Sequence, residues 1–506
     1  MRRVSSWLLC LRVLLLCLPL LPVASAQEEA PPPRVRALLI GVDEFVSRPS
    51  AYPSSTNNVY AMQEMFQAAA EPLEAILLPP EPVTSAAQLT ELIQNAFEGA
   101  SGEDVSYLYI STHGLYDPEN GVEPQLLLSD GMVEGSVTPA QLQAAFENIG
   151  GTKVIILDAC NSGAFIGKGL PAQPEEVFFL GEDFKVLTSS GALEESWYWN
   201  EGGSGRQGAF YFTQALTQSL SAAFDYPADQ NRDGAVTLSE LHQHLLLGHA
   251  ASTPQVYPQK DDFVVFRYEP DQLRRTQRAR SPIMDVTFSG NILSRQSPEI
   301  SIEFIAMRPV QVGYQIVYQR EGKWQFDEAR LIYDEAERFS AFGDQAGAVS
   351  PGRKVRTLTI GDLPSDAYGY VLVQVLSIEN GRLTVHAGRV LCVPPEGDAP
   401  EISVSVPESF SPAGGRELCI FVSHDAPCAL SVTIKNAEGK TVHRLCHKQS
   451  TRPMQLTPEG SVFYWDGLLK SGEVLPEGTY QISVQAYTSD QSAAALSEPF
   501  TMNQGG

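Results

Sequence analysis

The sequence predicts an α/β domain built on a mostly parallel sheet, followed by two β-sandwiches. Three observations predict it. From Val35 to Tyr268, short apolar runs alternate with helically spaced segments, which implies parallel strands joined by helices that cover both sheet faces. After Ile283 the pattern changes to period-two stretches. The composition is globular, with 43% hydrophobic and 19% charged residues among 506, which excludes a disordered, coiled-coil or collagen-like chain.

The chain opens with Arg2 and Arg3, an apolar run from Trp7 to Leu21 interrupted by Arg12, and the small-x-small triplet Ala24-Ser25-Ala26. This is the pattern of a secretory signal peptide at 1–26, cleaved before Gln27, and it predicts export. A membrane anchor is the weaker reading, because the run is short for a bilayer and ends in a cleavage site. Cys10 and Cys17 follow leucines, which argues against a lipoprotein. No other segment approaches the run of about 18 apolar residues that a spanning helix needs, so no stable membrane insertion is expected.

The α/β region is expected at 34–268. Its strands are expected at Val35–Val42, Ala75–Leu78, Val105–Ser111, Val154–Asp158, Lys185–Thr188 and Phe263–Arg267. Its helices are expected at Asn57–Ala69, Ala86–Phe97, Pro139–Asn148 and Ala209–Ala223. In such folds chemistry sits at the carboxyl ends of the strands. Residues 269–281 are polar, carry Arg274, Arg275, Arg278 and Arg280, and read as an exposed linker. Period-two stretches such as Ser301–Ile305, Val371–Leu376 and Thr479–Ala486 then predict sandwiches at 282–395 and 401–503, with no internal repeat between them.

Asp plus Glu is 60 against 35 Lys plus Arg, a formal charge of −25. Removal of the leader makes it about −28. Such a chain lacks the basic footprint that nucleic acid requires. Of seven Cys, five lie beyond the leader: Cys160, Cys392, Cys419, Cys428 and Cys446. The last four allow two disulfides in an oxidising compartment, with three connectivities open, and Cys160 is left over.

Two strands run directly into reactive side chains. One reads Tyr109-Ile110-Ser111-Thr112-His113-Gly114, the other Ile156-Leu157-Asp158-Ala159-Cys160-Asn161-Ser162-Gly163. A Cys nucleophile needs a base beside it and access for substrate, and neighbouring parallel strands ending in His and Cys provide both. A Cys at an apolar strand is ordinarily just buried. Here both residues lie past their strands, in the order His then Cys. Asp158 lies two residues before Cys160 and so points to the same side of an extended chain. The other reading of Asp158 is a strand-end residue that caps local N–H groups.

These motifs resemble the caspase-like cysteine peptidases, most closely the bacterial caspase-like and metacaspase branch, whose motifs read roughly Ser-Gly-His-Gly and Asp-Ser/Ala-Cys-His-Ser-Gly. The interval between His113 and Cys160 is also close to the caspase-type interval of about 50 residues. Ala37–Asp43 resembles the first strand of that domain, and Thr188–Trp197, Gly208–Leu216 and Thr253-Pro254-Gln255 its later segments. The resemblance covers about residues 34–268 and implies a mostly parallel six-stranded sheet. It implies that Cys160 attacks the scissile carbonyl to form a thioester. His113 then assists the thiolate and protonates the leaving amine, and N–H groups of Gly114 and Cys160 form the oxyanion hole. An acceptor amine in place of water would make the thioester a ligation intermediate. Caspases proper carry Gln at the position of Asp158, so the resemblance points to Arg or Lys at P1. Ser111 matches a pocket position, and Asn58 stands where the metacaspase branch places a second acid, which weakens that basic preference. Asn161 and Thr112 replace the His and Gly common in the two motifs without removing a catalytic group.

Asp229-Gln-Asn231-Arg-Asp233-Gly234-Ala235-Val-Thr237-Leu-Ser-Glu240 matches the twelve-residue EF-hand loop. Asp229, Asn231, Asp233, the Ala235 carbonyl, Thr237 through a water, and Glu240 would ligate Ca²⁺, with Gly234 at the sharp turn. The alternative is a capped turn without metal. His242, His244 and His249 follow; i and i+2 do not face one another, so they are expected to be surface residues rather than a zinc site. No organic cofactor is expected.

Residues 431–486 contain Ser-Val-Thr-Ile-Lys, then Tyr464-Trp465-Asp466-Gly467, then Pro476-Glu477-Gly478-Thr479-Tyr480. They resemble the Ig-like sandwich of the bacterial flagellar hook-capping protein, which is also appended to exported bacterial enzymes. This implies a bacterial origin, a core Trp465 and an accessory role in adhesion, spacing or surface display. The expected function is an exported cysteine endopeptidase acting on proteins or peptides, located in the periplasm, on the cell surface or outside the cell, with a cell-surface partner for the sandwiches. Lys168, Arg206 and the linker 269–281 are candidate self-cleavage sites. The rival is a binding protein in which an inactive peptidase fold presents the sandwiches; the complete His113 and Cys160 pair argues against it.

Overall fold

The computed structural model describes residues 33–504 except 201–207, 225, 230, 232, 247–251, 270–281, 321–322, 326–327, 338–344, 364–368, 380–381, 395–398, 451–459 and 489–490. The leader 1–26, Arg206, His249 and nearly all of the linker 269–281 lie outside the described residues. Arg34–Gly506 forms one compact unit.

The first part of that unit runs β1 (Val35–Gly41), α1 (Ser54–Gln67), β2 (Ala75–Leu77), α2 (Ala86–Ala96), β3 (Val105–Ser111), β4 (Gly114–Asp117), β5 (Val122–Ser129), β6 (Glu134–Val137), α3 (Pro139–Ala144) and β7 (Thr152–Asp158). It continues with β8 (Phe184–Thr188), β9 (Tyr198–Asn200), β10 (Gly208–Phe210), α4 (Tyr211–Ser219), β11 (Ala235–Thr237), α5 (Leu238–Leu246), β12 (Gln255–Tyr257) and β13 (Val264–Arg267). The main sheet has six strands in the order β12-β8-β7-β3-β1-β2, parallel except for β12.

The strand sequences explain why helices cover both faces. Leu38, Ile40, Leu108, Ile110, Ile155 and Leu157 point to one side, under Leu89 and Ile93 of α2 and Leu142 of α3. Ala37, Leu39, Tyr107, Tyr109, Val154 and Ile156 alternate with them and point to the other, under α1, α4 and α5. Helix starts are marked by side chains that satisfy free N–H groups. Thr138 and Gln141 form a capping box on α3, and the Asp43 carboxylate accepts the Ser55 and Thr56 N–H groups of α1 at 2.8 and 2.9 Å.

Two sequence expectations are corrected here, and one sheet appears for which the sequence reading has no element. Phe263–Arg267 is not a strand of the main sheet: β13 pairs with β11, and the sixth strand is β12, which runs back along β8. A separate antiparallel sheet, β4-β5-β6, fills residues 114–137; its hairpin signals are Asn120-Gly121 and Asp130-Gly131. His242 and His244 are buried rather than superficial, because α5 packs its inner face on α4 and the sheet. His242 Nε2 lies 3.0 Å from Pro254 O, and burial pushes this ring down to about 4.

The remainder is almost entirely antiparallel β-structure. Sheets containing Glu299–Ala306 and Val310–Arg320 share one core, and sheets containing Leu418–His424 and Gly478–Tyr487 share a second, with Trp465 buried in it. Cys392, Cys419, Cys428 and Cys446 are free, buried thiols, so the disulfides that their number allows are absent among the described residues.

Candidate active site

β3 and β7 pair in parallel so that Ser111 faces Asp158 at their carboxyl ends. The Thr112 N–H continues the ladder by donating to Asp158 O at 3.1 Å. Two residues beyond that register stand His113 and Cys160. The chain then turns into β4, and a Cβ placed on Gly114 would stand 1.9 Å from the Cys160 carbonyl oxygen. Glycine is therefore required there, because the backbone after the histidine lies directly against the cysteine.

Cys160 is half-buried. Its Sγ accepts the Ser196 N–H at 3.3 Å and stands 3.4 Å from Ser196 O. Burial pushes the thiol up to about 11. The half-buried His113 ring packs against Phe45, centroids 4.5 Å apart, and meets Tyr198 edge-on at 6.2 Å. Its Nε2 lies 3.2 Å from Pro49 O. A carbonyl oxygen only accepts, so Nε2 carries the proton and Nδ1 is left as the basic nitrogen. Burial also lowers the ring's pKa, which keeps it neutral near pH 7.

Beneath Cys160 lies a buried polar floor. Asp158 is fully buried: its Oδ1 accepts the Ser196 hydroxyl at 3.2 Å, and its Oδ2 accepts the Thr213 N–H at 3.2 Å and hydroxyl at 2.6 Å. Thr213 lies in the first turn of α4, so the N–H group that Asp158 accepts belongs to a distant helix start rather than to its own strand end. Tyr109 Oη stands 2.6 Å from Thr213 Oγ1. Asn58 donates to Ser111 Oγ at 3.1 Å and accepts the Phe210 N–H at 3.2 Å. Ser111 donates in turn to Ser55. Burial pushes Asp158 up to about 7, and hydrogen bonds from Thr213 and Ser196 pull it partly back.

The structure thus gathers His113, Gly114, Cys160, Asp158, Ser111 and Asn58 at one edge of the sheet. It adds Pro49, Tyr198, Ser196 and Thr213; the last two lie in the family-like segments Thr188–Trp197 and Gly208–Leu216 and act through hydroxyl and backbone groups, but no motif singled them out. Lys168 departs from expectation. It is buried and paired with Glu417 at 2.5 Å, so it is not an accessible cleavage site.

The acidic loop lies elsewhere in the domain. Asp229 Oδ2 accepts the Gly234 N–H at 3.0 Å, Asn231 Oδ1 the Asp233 N–H at 2.9 Å, and Asp233 Oδ1 the Ala235 N–H at 2.8 Å. Gly234 takes a left-handed φ of 89°. Glu240 accepts the Thr237 N–H and hydroxyl. Among the described residues, no group of three or more His, Cys, Asp or Glu side chains stands ready to hold a metal.

Two outcomes follow from this geometry. Gly114→Ala must displace the Cys160 carbonyl, so the fold is expected to lose about 1–3 kcal/mol, read by denaturant unfolding. Asp158 binds its proton more tightly folded, to about 7, than unfolded, near 3.9. The folded chain therefore holds more protons between those values, and stability falls as pH rises through that window. Melting curves at pH 4.5 and 7.5 should show a larger loss for the wild type than for Asp158→Asn.

Residues 34–259 match the caspase domain family and residues 421–490 the FlgD Ig-like domain family. No curated protein sequence matches. Solved structures that match include the following three. Caspase-1 from Spodoptera frugiperda shows 14% identity over 47% of this chain and 92% of that one, TM-score 0.30. Protein GSU0716 from Geobacter sulfurreducens shows 15% identity over 37% and 81%, TM-score 0.28. Dimeric latent PorU from Porphyromonas gingivalis shows 14% identity over 50% and 22%, TM-score 0.18. The six-stranded α/β sheet thus falls within the stretch similar to the caspase domain family, and the C-terminal sandwich holds the stretch similar to the FlgD Ig-like domain family.

Proposed function

We propose that the chain is an exported cysteine endopeptidase that cleaves after Arg or Lys, using His113 and Cys160. The observation that carries this reading is the in-register end of β3 and β7, with Gly114 pressed on the Cys160 carbonyl. It brings a thiol, an imidazole and backbone donors to one edge.

The resting pair is a neutral thiol and a neutral imidazole. The proton therefore leaves Sγ for His113 Nδ1 as sulfur bonds to the scissile carbonyl carbon. Electrons pass to the carbonyl oxygen, which the N–H groups of Gly114 and Cys160 receive. Collapse expels the amine, which takes the proton from Nδ1 and leaves a thioester. Water, deprotonated by Nδ1, attacks the thioester and returns the thiol.

Asp158 supports a basic P1. Among the described residues, the groups that stabilise its carboxylate are hydroxyls and amides, with no cation among them. A buried carboxylate in that condition favours a guanidinium or ammonium. Asn58 in place of a second acid makes the attraction weaker than two carboxylates would.

Calcium belongs to the same reading. Asp229, Asn231, Asp233, Ala235 O, Thr237 and Glu240 would hold it, and the left-handed Gly234 and the successive Asx turns fit the loop that such a site needs. Positions 7–9 of a paired EF-hand form a ladder with a second hand; here β11 finds that ladder on β13. Bound calcium would neutralise the loop's carboxylates and hold α5, with Glu240 released from Thr237. Export rests on residues 1–26, and a cell-surface partner for the sandwiches completes the proposal.

An acyloxymethyl-ketone probe with P1 Arg or Lys is expected to label the wild type and not Cys160→Ala. For an Arg substrate, kcat/KM should fall as pH drops through about 7, where Asp158 loses its charge. No Cys160-dependent label, with or without calcium, would favour the binding-protein reading. Calcium at ten times its Kd should stabilise the chain by about 1.4 kcal/mol, an effect that Glu240→Gln removes. Differential scanning calorimetry in calcium and in chelator reads it.

A further inference from the structure

We infer that the C-terminal sandwich is part of the peptidase site: it fixes the loop that follows the nucleophile, with Lys168, Glu417 and Tyr464 as positioning residues. The catalytic consequence rests on the peptidase reading above; the anchoring rests on contacts alone.

Cys160 opens a loop that passes through the short 3-10 turn Ser162–Ile166 to Leu170. This loop is laced to segment 190–196. The Asn161 N–H donates to Glu194 O at 2.8 Å, the Gly163 N–H to Ser190 O at 2.9 Å, and the Ala192 N–H to Lys168 O at 2.9 Å. The same segment ends at Ser196, whose N–H meets Cys160 Sγ at 3.3 Å. A shift of Lys168 therefore reaches the sulfur along two routes, the nucleophile's own loop and the segment that touches it.

The far end of the loop is gripped by the sandwich. Lys168 is only 3% exposed, and Glu417 only 5%. The ammonium pairs with the Glu417 carboxylate at 2.5 Å and donates to Gln259 Oε1 at 3.1 Å and to the Val256 carbonyl. Glu417 also accepts the Gln259 N–H at 2.5 Å. Tyr464 accepts the Gly169 N–H at 2.7 Å through its hydroxyl, and its ring lies 4.7 Å from Lys168 Nζ. An ammonium taken out of water is tolerated only when paired and hydrogen-bonded. Its carboxylate comes from the sandwich, so the loop reaches this geometry only with the sandwich in place. A passive spacer would not need a buried charge pair across the junction, eight residues downstream of the nucleophile. Burial lowers the Lys168 pKa, and Glu417 draws it back up.

The test uses the full chain. Glu417→Gln removes the counter-charge. Tyr464→Phe keeps the ring, removes only the acceptor of the Gly169 N–H, and is the milder variant should the first fail to fold. Tyr257→Phe is the control: it removes hydrogen bonds to Gly415 O and from Gly181 N–H at the same junction, off the nucleophile's loop. Hydrogen exchange by mass spectrometry should show peptides covering 161–170 exchanging about tenfold faster in Glu417→Gln and severalfold faster in Tyr464→Phe, but not in Tyr257→Phe. On a P1-Arg peptide, kcat should fall about tenfold in Glu417→Gln with KM within about twofold of wild type, since alignment rather than binding is lost. Unchanged exchange at 161–170 in the two loop variants, or faster exchange with kcat intact, overturns the inference. A wild type that turns over no basic peptide overturns the function proposed above, and the exchange data still decide whether the sandwich anchors the loop.

Discussion

Seven residue pairs join β3 to β7, from Val105 with Thr152 to Ser111 with Asp158, and this register is the constraint on which the rest depends. In a sheet covered on both faces, a slip of one residue would exchange the two sets of side chains. Leu108 and Ile110 would leave the α2–α3 side and Tyr107 and Tyr109 the α4–α5 side. The tyrosine hydroxyls would then lose Thr213 and the Val265 carbonyl. Core packing thus fixes the register. The register in turn fixes which residues emerge at the top of each strand, and His113 and Cys160 leave adjacent strands at the same level for that reason.

The two ends of the sheet handle charge differently. At the amino ends, buried basic residues have partners: Lys153 pairs with Asp183, Lys185 with Asp261 at 2.5 Å, and Arg36 donates to the carbonyls of Ala96 and Glu98. At the carboxyl ends, Asp158 is buried among hydroxyls and amides, and its affinity for a proton rises. Buried bases at the strand starts are thus paired or hydrogen-bonded, whereas the buried acid at the strand top is bonded by hydroxyls and an amide. Lys168 shows the alternative at the top edge, a buried charge compensated from another part of the chain.

Much of this was legible beforehand, for stated reasons. Val105–Ser111 reads as a strand because every residue from Tyr107 to Ile110 is apolar or aromatic and both faces are buried. The reactive His and Cys lie just past such runs, and the carboxylate before Cys160 points with it. The hairpins of residues 114–137 escape the same reading because β4 and β6 are only four residues each and mixed in polarity, although β5 buries Leu126, Leu127 and Leu128 in the core. β12 escapes because three residues carry too little pattern, and β13 looks like a sheet strand because apolar runs do not specify a partner.

The sequence by itself determined the alternation of elements, the covered faces of the sheet, the two sandwiches and the place of His113 and Cys160 just past two strand ends, since periodicity and strand-end motifs are local. Tertiary structure alone decided how those pieces are completed. The Pro49 carbonyl sets the His113 tautomer, Ser196 meets the sulfur, Thr213 and Ser196 hold Asp158, and Glu417 reaches across from the sandwich to Lys168. It also buried His242 and His244. These contacts join residues 36 to about 250 positions apart, or use backbone groups common to every residue, and neither leaves a mark in a local pattern.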